Sequence, residues 1–141
     1  MNIYFACSIT GGREFESTYQ AITTALLADG HEVPTAHLAD SGVKQLEGSL
    51  DPVEVYTRDT DWIRGCHALV AEVSTPSHGV GFEVAYALNH AKPVLCLYQE
   101  GRKVSKMLTG NTDRGIQVSR YQDPQEAVAI IRSFLKGLTL L

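Results

Sequence analysis

Two acidic residues, Asp59 and Glu83, occupy places where a carboxylate needs a reason to be. Glu83 follows the glycine-containing stretch "STPSHGVG" (residues 74–81), in a segment that reads as a helix beginning around Gly79. Helix dipoles and free amides near such a start favour the ionised carboxyl, which is the form a nucleophile requires. Acids in a first turn also serve simply to complement the dipole, so Glu83 by itself decides nothing. Asp59 lies in "DPVEVYTRDTDWIRGC" (51–66), where Val55, Asp59, Trp62, Ile63 and Cys66 share one helical face and Arg58, Asp61 and Arg64 fall on the polar one. A carboxylate within an apolar stripe must be paired or hydrogen-bonded. It is either an acceptor for a neighbouring loop's amides or a group aimed into a cleft. Two carboxylates meeting in one cleft from different helices would suit glycosidic-bond chemistry, one attacking the anomeric carbon and the other handling a proton.

Several other residues fit around such a cleft. "CSITGGR" (7–13) links a strand to a helix, and Gly11 and Gly12 let backbone amides approach an anionic ligand. Arg13 could clamp a phosphate, or the stretch is an ordinary glycine turn beside a surface arginine. It is neither a dinucleotide fingerprint nor a Walker loop. Ser77 offers a hydroxyl in the loop before Glu83. Tyr4, on the first strand, either orients a nucleophile or is a core tyrosine. Tyr19 is most simply core, and His37 either meets a base or sugar or caps a loop.

The elements that must position these groups alternate between strand and helix. Apolar runs at 2–7, 31–39, 68–73 and 93–98 and a weaker one within 111–121 read as five strands. Helices are expected at 13–30, with Phe15, Tyr19, Ile22 and Leu26 on one face, at 51–66 and 123–138 behind Asp-Pro starts, and after Gly79. Residues 38–50 are poorly periodic and read as a mobile loop. This order specifies an α/β fold with a mainly parallel sheet between two helical layers, its ligands bound at the carboxyl ends of the strands.

Composition agrees. A chain of 141 residues, 44% apolar and 20% charged, forms one ordinary domain over 1–141. A net charge of −4 does not suit a nucleic-acid partner, and no apolar run approaches a membrane span. The first residues read as a strand rather than a signal peptide, so a cytoplasmic location is expected. Cys7, Cys66 and Cys96 and five scattered histidines show no metal-ligand spacing.

The combination of "IYFACSITGGRE", "RDTDWIRGCHALVAEVSTPSHGVGFEVAYAL", "KPVLCLY" and "GRKVSKMLTGN" resembles the 2'-deoxynucleoside 5'-monophosphate N-hydrolases of the nucleoside 2-deoxyribosyltransferase superfamily, from residue 2 to about 121. That resemblance implies a flavodoxin-like, five-stranded three-layer sandwich, a homodimer, and hydrolysis of deoxynucleoside monophosphates to free base and 2-deoxyribose 5-phosphate without a cofactor. Glu83 matches the family's nucleophile, Asp59 its second carboxylate and Tyr4 the tyrosine that positions the nucleophile. The substrate-binding set would be Cys7, Ser8, Ile9, Thr10, Gly11, Gly12, Arg13, Tyr19, His37, Ser77 and Gly79. Ser105, Lys106 and Met107 would reach into the neighbouring subunit's site. The chain departs from the pattern at Cys7, Thr10 and Lys106, where relatives carry glycine, in some cases arginine, and a small residue. Three alternatives share the fold: a deoxyribosyltransferase that exchanges bases, a non-catalytic nucleotide sensor, and a hydrolase of ribonucleotides.

Overall fold

The structure, a computed structural model, describes residues 1–141. Its elements run β1 (Ile3–Ala6), α1 (Glu16–Ala28), a 3-10 turn (Ala36–Ala39), α2 (Val43–Gly48), α3 (Pro52–Gly65), β2 (Ala68–Glu72), α4 (His78–Asn89), β3 (Val94–Gln99), α5 (Lys106–Thr109), β4 (Ile116–Tyr121) and α6 (Pro124–Thr139). The sheet is entirely parallel in the order β1-β2-β3-β4, with Tyr4 beside Leu69, Leu69 beside Val94 and Val94 beside Ile116.

The sheet has four strands, where five are expected. Residues 31–39 contribute a single parallel bridge between Asn2 and Glu32. Pro34 has no N–H with which to continue a ladder. One residue later Thr35 does the pairing with its side chain: its hydroxyl accepts from Phe5 N at 3.0 Å and donates to Phe5 O at 2.7 Å. The outer edge of β1 is thereby satisfied without a second strand, and the chain turns away into the 3-10 segment.

Alternation along β1 divides the core. Ile3, Phe5 and Cys7 join Tyr19, Ile22 and Leu26 of α1 and Ala127, Ile131 and Leu135 of α6 on one face. Tyr4 and Ala6 join Ile63 of α3 and Val80 and Val84 of α4 on the other. Every residue of β1 and β2 is buried, as expected of strands covered on both faces. Burial of each large apolar side chain contributes about 1.5–3 kcal/mol, so both layers are strongly held. This parity puts Tyr4 on the same side of the sheet as the two helices bearing Asp59 and Glu83.

Both Asp-Pro helix starts form as the sequence specifies, Asp51 accepting from Val53 N at 2.7 Å and Asp123 from Glu126 N at 2.8 Å. Residues 38–50 are not a loop: most of them lie in the 3-10 turn and α2. Leu38, Ala39 and Val43 are buried against the α1–α6 core, and Gln20 Nε2 donates to Ala39 O at 3.3 Å. Helices of one or two turns are too short to display a period, which is why the sequence conceals them.

Candidate active site

The carboxyl ends of β1 and β2 open into a cavity of about 530 Å³ lined by Cys7, Ile9 and Thr10 of the first loop, Ser77, Gly79, Val80 and Glu83 of α4 and its cap, Val55 and Asp59 of α3, and Lys44, Glu47 and Gly48 of α2. Both expected carboxylates therefore share one space. Ser77 caps α4, its hydroxyl accepting from Val80 N at 3.3 Å. Gly79 sits beneath the Glu83 side chain: a Cβ built there would lie 3.6 Å from Glu83 Oε1. That is ordinary van der Waals distance, so the Glu83 carboxyl folds back against the first turn of α4.

The first loop is fixed from behind. Arg13 donates through Nη1 to Ser8 O at 3.0 Å and through Nη2 to Asp40 O at 3.1 Å, with its guanidinium 5.2 Å from the Tyr19 ring centroid. Its fork is thus engaged with carbonyls behind the loop, and it does not line the cavity. A Cβ at Gly11 would fall 2.4 Å from Pro76 O, so the first loop and the turn after β2 approach as closely as only glycine permits. Gly12 adopts a φ of 135°, also a glycine conformation. Ser8 and Tyr19 are fully buried, each with a hydroxyl that lacks a hydrogen-bond partner. Burial pushes the Cys7 thiol up to about 12, so it lines the cavity as an uncharged group.

Tyr4 lies fully buried beneath Glu83. Burial, followed by the nearby Glu83 and Asp59 charges, raises its hydroxyl far above the ordinary tyrosine value, so it remains a protonated donor. It is near enough to Glu83 to favour the ionised carboxylate, yet neither Tyr4 Oη nor Glu83 Oε2 completes a hydrogen bond of good geometry. Burial dominates at Glu83 and raises its pKa to about 7, the Asp59 charge adding to the rise. The expected effect of the helix start is therefore overturned. Glu83 is well inside α4 and accepts no backbone amide, and removal from water outweighs the dipole.

Asp59 is raised as well, by burial first, against the opposing effect of Arg58. Arg58 Nε donates to Asp59 Oδ1 at 2.8 Å while Nη2 donates to Glu47 Oε1 and Oε2 at 3.0 and 3.1 Å. Arg58 turns inward from the face to which helical spacing assigns it. His37 stands behind Glu47, its Nε2 2.8 Å from Oε1, rather than on the cavity wall. Glu47, Lys44 and Arg58 are absent from the expected set. Glu47 and Lys44 belong to the concealed α2, and no local pattern pairs Arg58 with a residue eleven positions earlier.

Ser105 caps the short α5, accepting from Met107 N at 3.2 Å. Ser105 and Met107 line a separate groove of about 750 Å³ between α4 and α5, together with Ser77, Val80 and Lys103. Lys106 and Met107 are exposed. Within one chain, none of the three lines the Glu83 cavity.

Two half-buried carboxylates at the carboxyl end of a parallel α/β sheet are the arrangement that glycosidic-bond chemistry uses. The family model described as nucleoside 2-deoxyribosyltransferase matches residues 3–128, and the chain belongs to that family. A Methanosarcina mazei protein whose name assigns it to the 2'-deoxynucleoside 5'-phosphate N-hydrolases is 39% identical over 137 residues, covering 97% of this chain and 85% of the relative. The 5-hydroxymethyl-dUMP N-hydrolase of Mus musculus is 36% identical over 138 residues, covering 94% of this chain and 79% of that one. A solved structure of the Clostridium botulinum CMP N-glycosidase superposes with a TM-score of 0.70 at 18% identity, covering 94% of this chain and 99% of the other; at that identity the likeness concerns the fold.

Proposed function

We propose that this protein hydrolyses the N-glycosidic bond of 2'-deoxynucleoside 5'-monophosphates, releasing free base and 2-deoxyribose 5-phosphate. The observation that carries the reading is the convergence of Glu83 and Asp59 on one cavity with Tyr4 beneath Glu83. The names of the relatives supply the substrate class.

In this mechanism the 5'-phosphate is bound by Ser77, by amides of the first loop, whose shape Arg13 fixes, and by Ser105 of the partner subunit in a homodimer. Binding of this remote group holds the anomeric carbon against Glu83. The reactive form carries its charge on Glu83 and a proton on Asp59. A Glu83 oxygen bonds to the anomeric carbon as the C–N bond breaks, the bonding pair leaves with the base, and Asp59 supplies the proton that makes the base neutral. Water then attacks the same carbon, gives up its proton to Asp59 and frees the Glu83 carboxylate. Tyr4 steadies Glu83 throughout. Absence of a 2'-hydroxyl eases the oxocarbenium-like transition state. The chain acts as one catalytic domain and requires no cofactor. A cytoplasmic location suits this substrate class, and the three cysteines are buried free thiols. No helix of the protein is long and apolar enough to cross a membrane.

Chromatography of released base tests the reading. Wild type is expected to release base from deoxynucleoside monophosphates and not from nucleosides or ribonucleotides, and Glu83→Ala to release none. Undiminished release by Glu83→Ala would overturn it. The family's transferase description favours one variant reading, in which a second base displaces the sugar from Glu83. Exchange in a two-base incubation would establish that variant.

A further inference from the structure

Glu47 and Asp59 share one guanidinium. Arg58 reaches Asp59 Oδ1 through Nε at 2.8 Å and both oxygens of Glu47 through Nη2 at 3.0 and 3.1 Å. Its guanidinium carbon lies 4.9 Å from the Trp62 ring centroid. His37 closes the cluster at 2.8 Å from Glu47 Oε1. Neighbouring positions on a helix do not face each other, so Arg58 must fold along α3 to reach Asp59. Arginine also has much rotamer freedom to lose in doing so. An anchor is needed to keep it there, and the Glu47 carboxylate and the Trp62 face provide one. Oδ1 takes the one hydrogen bond that the Asp59 side chain makes within the chain, which leaves Oδ2 unbonded on a residue that lines the cavity with Glu47 and Glu83. The charged and titratable groups around Asp59 are Arg58 on its own helix, Glu47 and Lys44 from α2, His37 from the 3-10 turn, Glu83 from α4 and Tyr4 from β1.

We propose that Glu47 is a positioning residue for Asp59, acting through Arg58: it holds the guanidinium on Asp59 Oδ1 so that Oδ2 is presented to the departing base. The inference rests on the hydrolase reading, and deepens it by assigning α2 a part in base departure.

Leaving-group dependence separates positioning from a merely structural role. Two substrates are compared: the deoxynucleoside monophosphate cleaved fastest, whose base needs a proton to leave, and 4-nitrophenyl 2-deoxyribofuranoside 5-phosphate, whose phenolate does not. For Glu47→Gln the expected result is a kcat about tenfold or more lower on the nucleotide, with KM and the nitrophenyl rate within about twofold of wild type. Glu83→Gln is expected to lose both substrates. An equal fall on both substrates in Glu47→Gln, or no fall on either, would overturn the proposal. Should Glu47→Gln fail to fold, Arg58→Lys makes the same comparison, because one ammonium keeps the charge but cannot span both carboxylates. The same selective loss is then expected, and a uniform or absent loss counts against the proposal. A wild type that cleaves neither substrate would overturn the hydrolase reading itself, which distinguishes the two failures.

Discussion

Burial of Glu83 carries a cost to stability that depends on pH. In the unfolded chain the residue ionises near 4.5, whereas in the folded protein burial raises it to about 7. Between these values the folded protein retains a proton that the unfolded chain has released, so stability falls as pH rises and levels off above about 7. Glu83→Gln removes the ionisation. It is expected to raise stability by about 2 kcal/mol at pH 8, with much less gain at pH 4.5, allowing for partial exposure of the carboxyl. Urea denaturation at the two pH values measures this, and an equal gain at both would contradict the assigned cause. Activity is expected to rise as Glu83 ionises and to fall once Asp59 loses the proton that the reactive form carries, passing through a maximum in pH. The sequence made the residue legible, because glycines precede an acid at the head of a helix. It did not make the charge state legible, since burial depends on what packs above Gly79 and Tyr4.

At the scale of elements, legibility followed the strength of the local signals. The Asp51-Pro52 and Asp123-Pro124 starts and the Tyr19–Ile22–Leu26 face are complete patterns within one element, and each folds as written. The stretch from His31 to Ala39 carries apolar residues but depends on Pro34 and on Thr35, whose hydroxyl replaces a strand neighbour. Only the partner backbone of Phe5 reveals that substitution. The segment from 38 to 50 lacks periodicity because its helices are too short, and with it Lys44 and Glu47 were hidden. Arg58 lies on the nominal polar face and turns inward to satisfy two carboxylates. The members of the site that strand and helix patterns carry were therefore legible, while the members recruited by long-range charge pairing were not.

At the scale of the molecule, the Glu83 cavity and the groove holding Ser105 lie beside α4 and share Ser77 and Val80. A homodimer in which Ser105 acts on the neighbouring site predicts complementation. A mixture of Glu83→Gln and Ser105→Ala subunits would form mixed dimers with one site bearing both substitutions and one site intact. Mixing the two variants after dissociation is thus expected to yield more activity than either alone; no gain would contradict action of Ser105 across the interface. The whole account depends on attack by Glu83 at the anomeric carbon, and stereochemistry tests that step most directly. Turnover in water with added methanol traps the sugar as a methyl glycoside phosphate, whose configuration NMR reads. Two successive displacements through a Glu83 ester predict the β-anomer, with retention. The α-anomer would show that solvent displaces the base directly, and Glu83 would then be a base or an electrostatic support rather than the nucleophile.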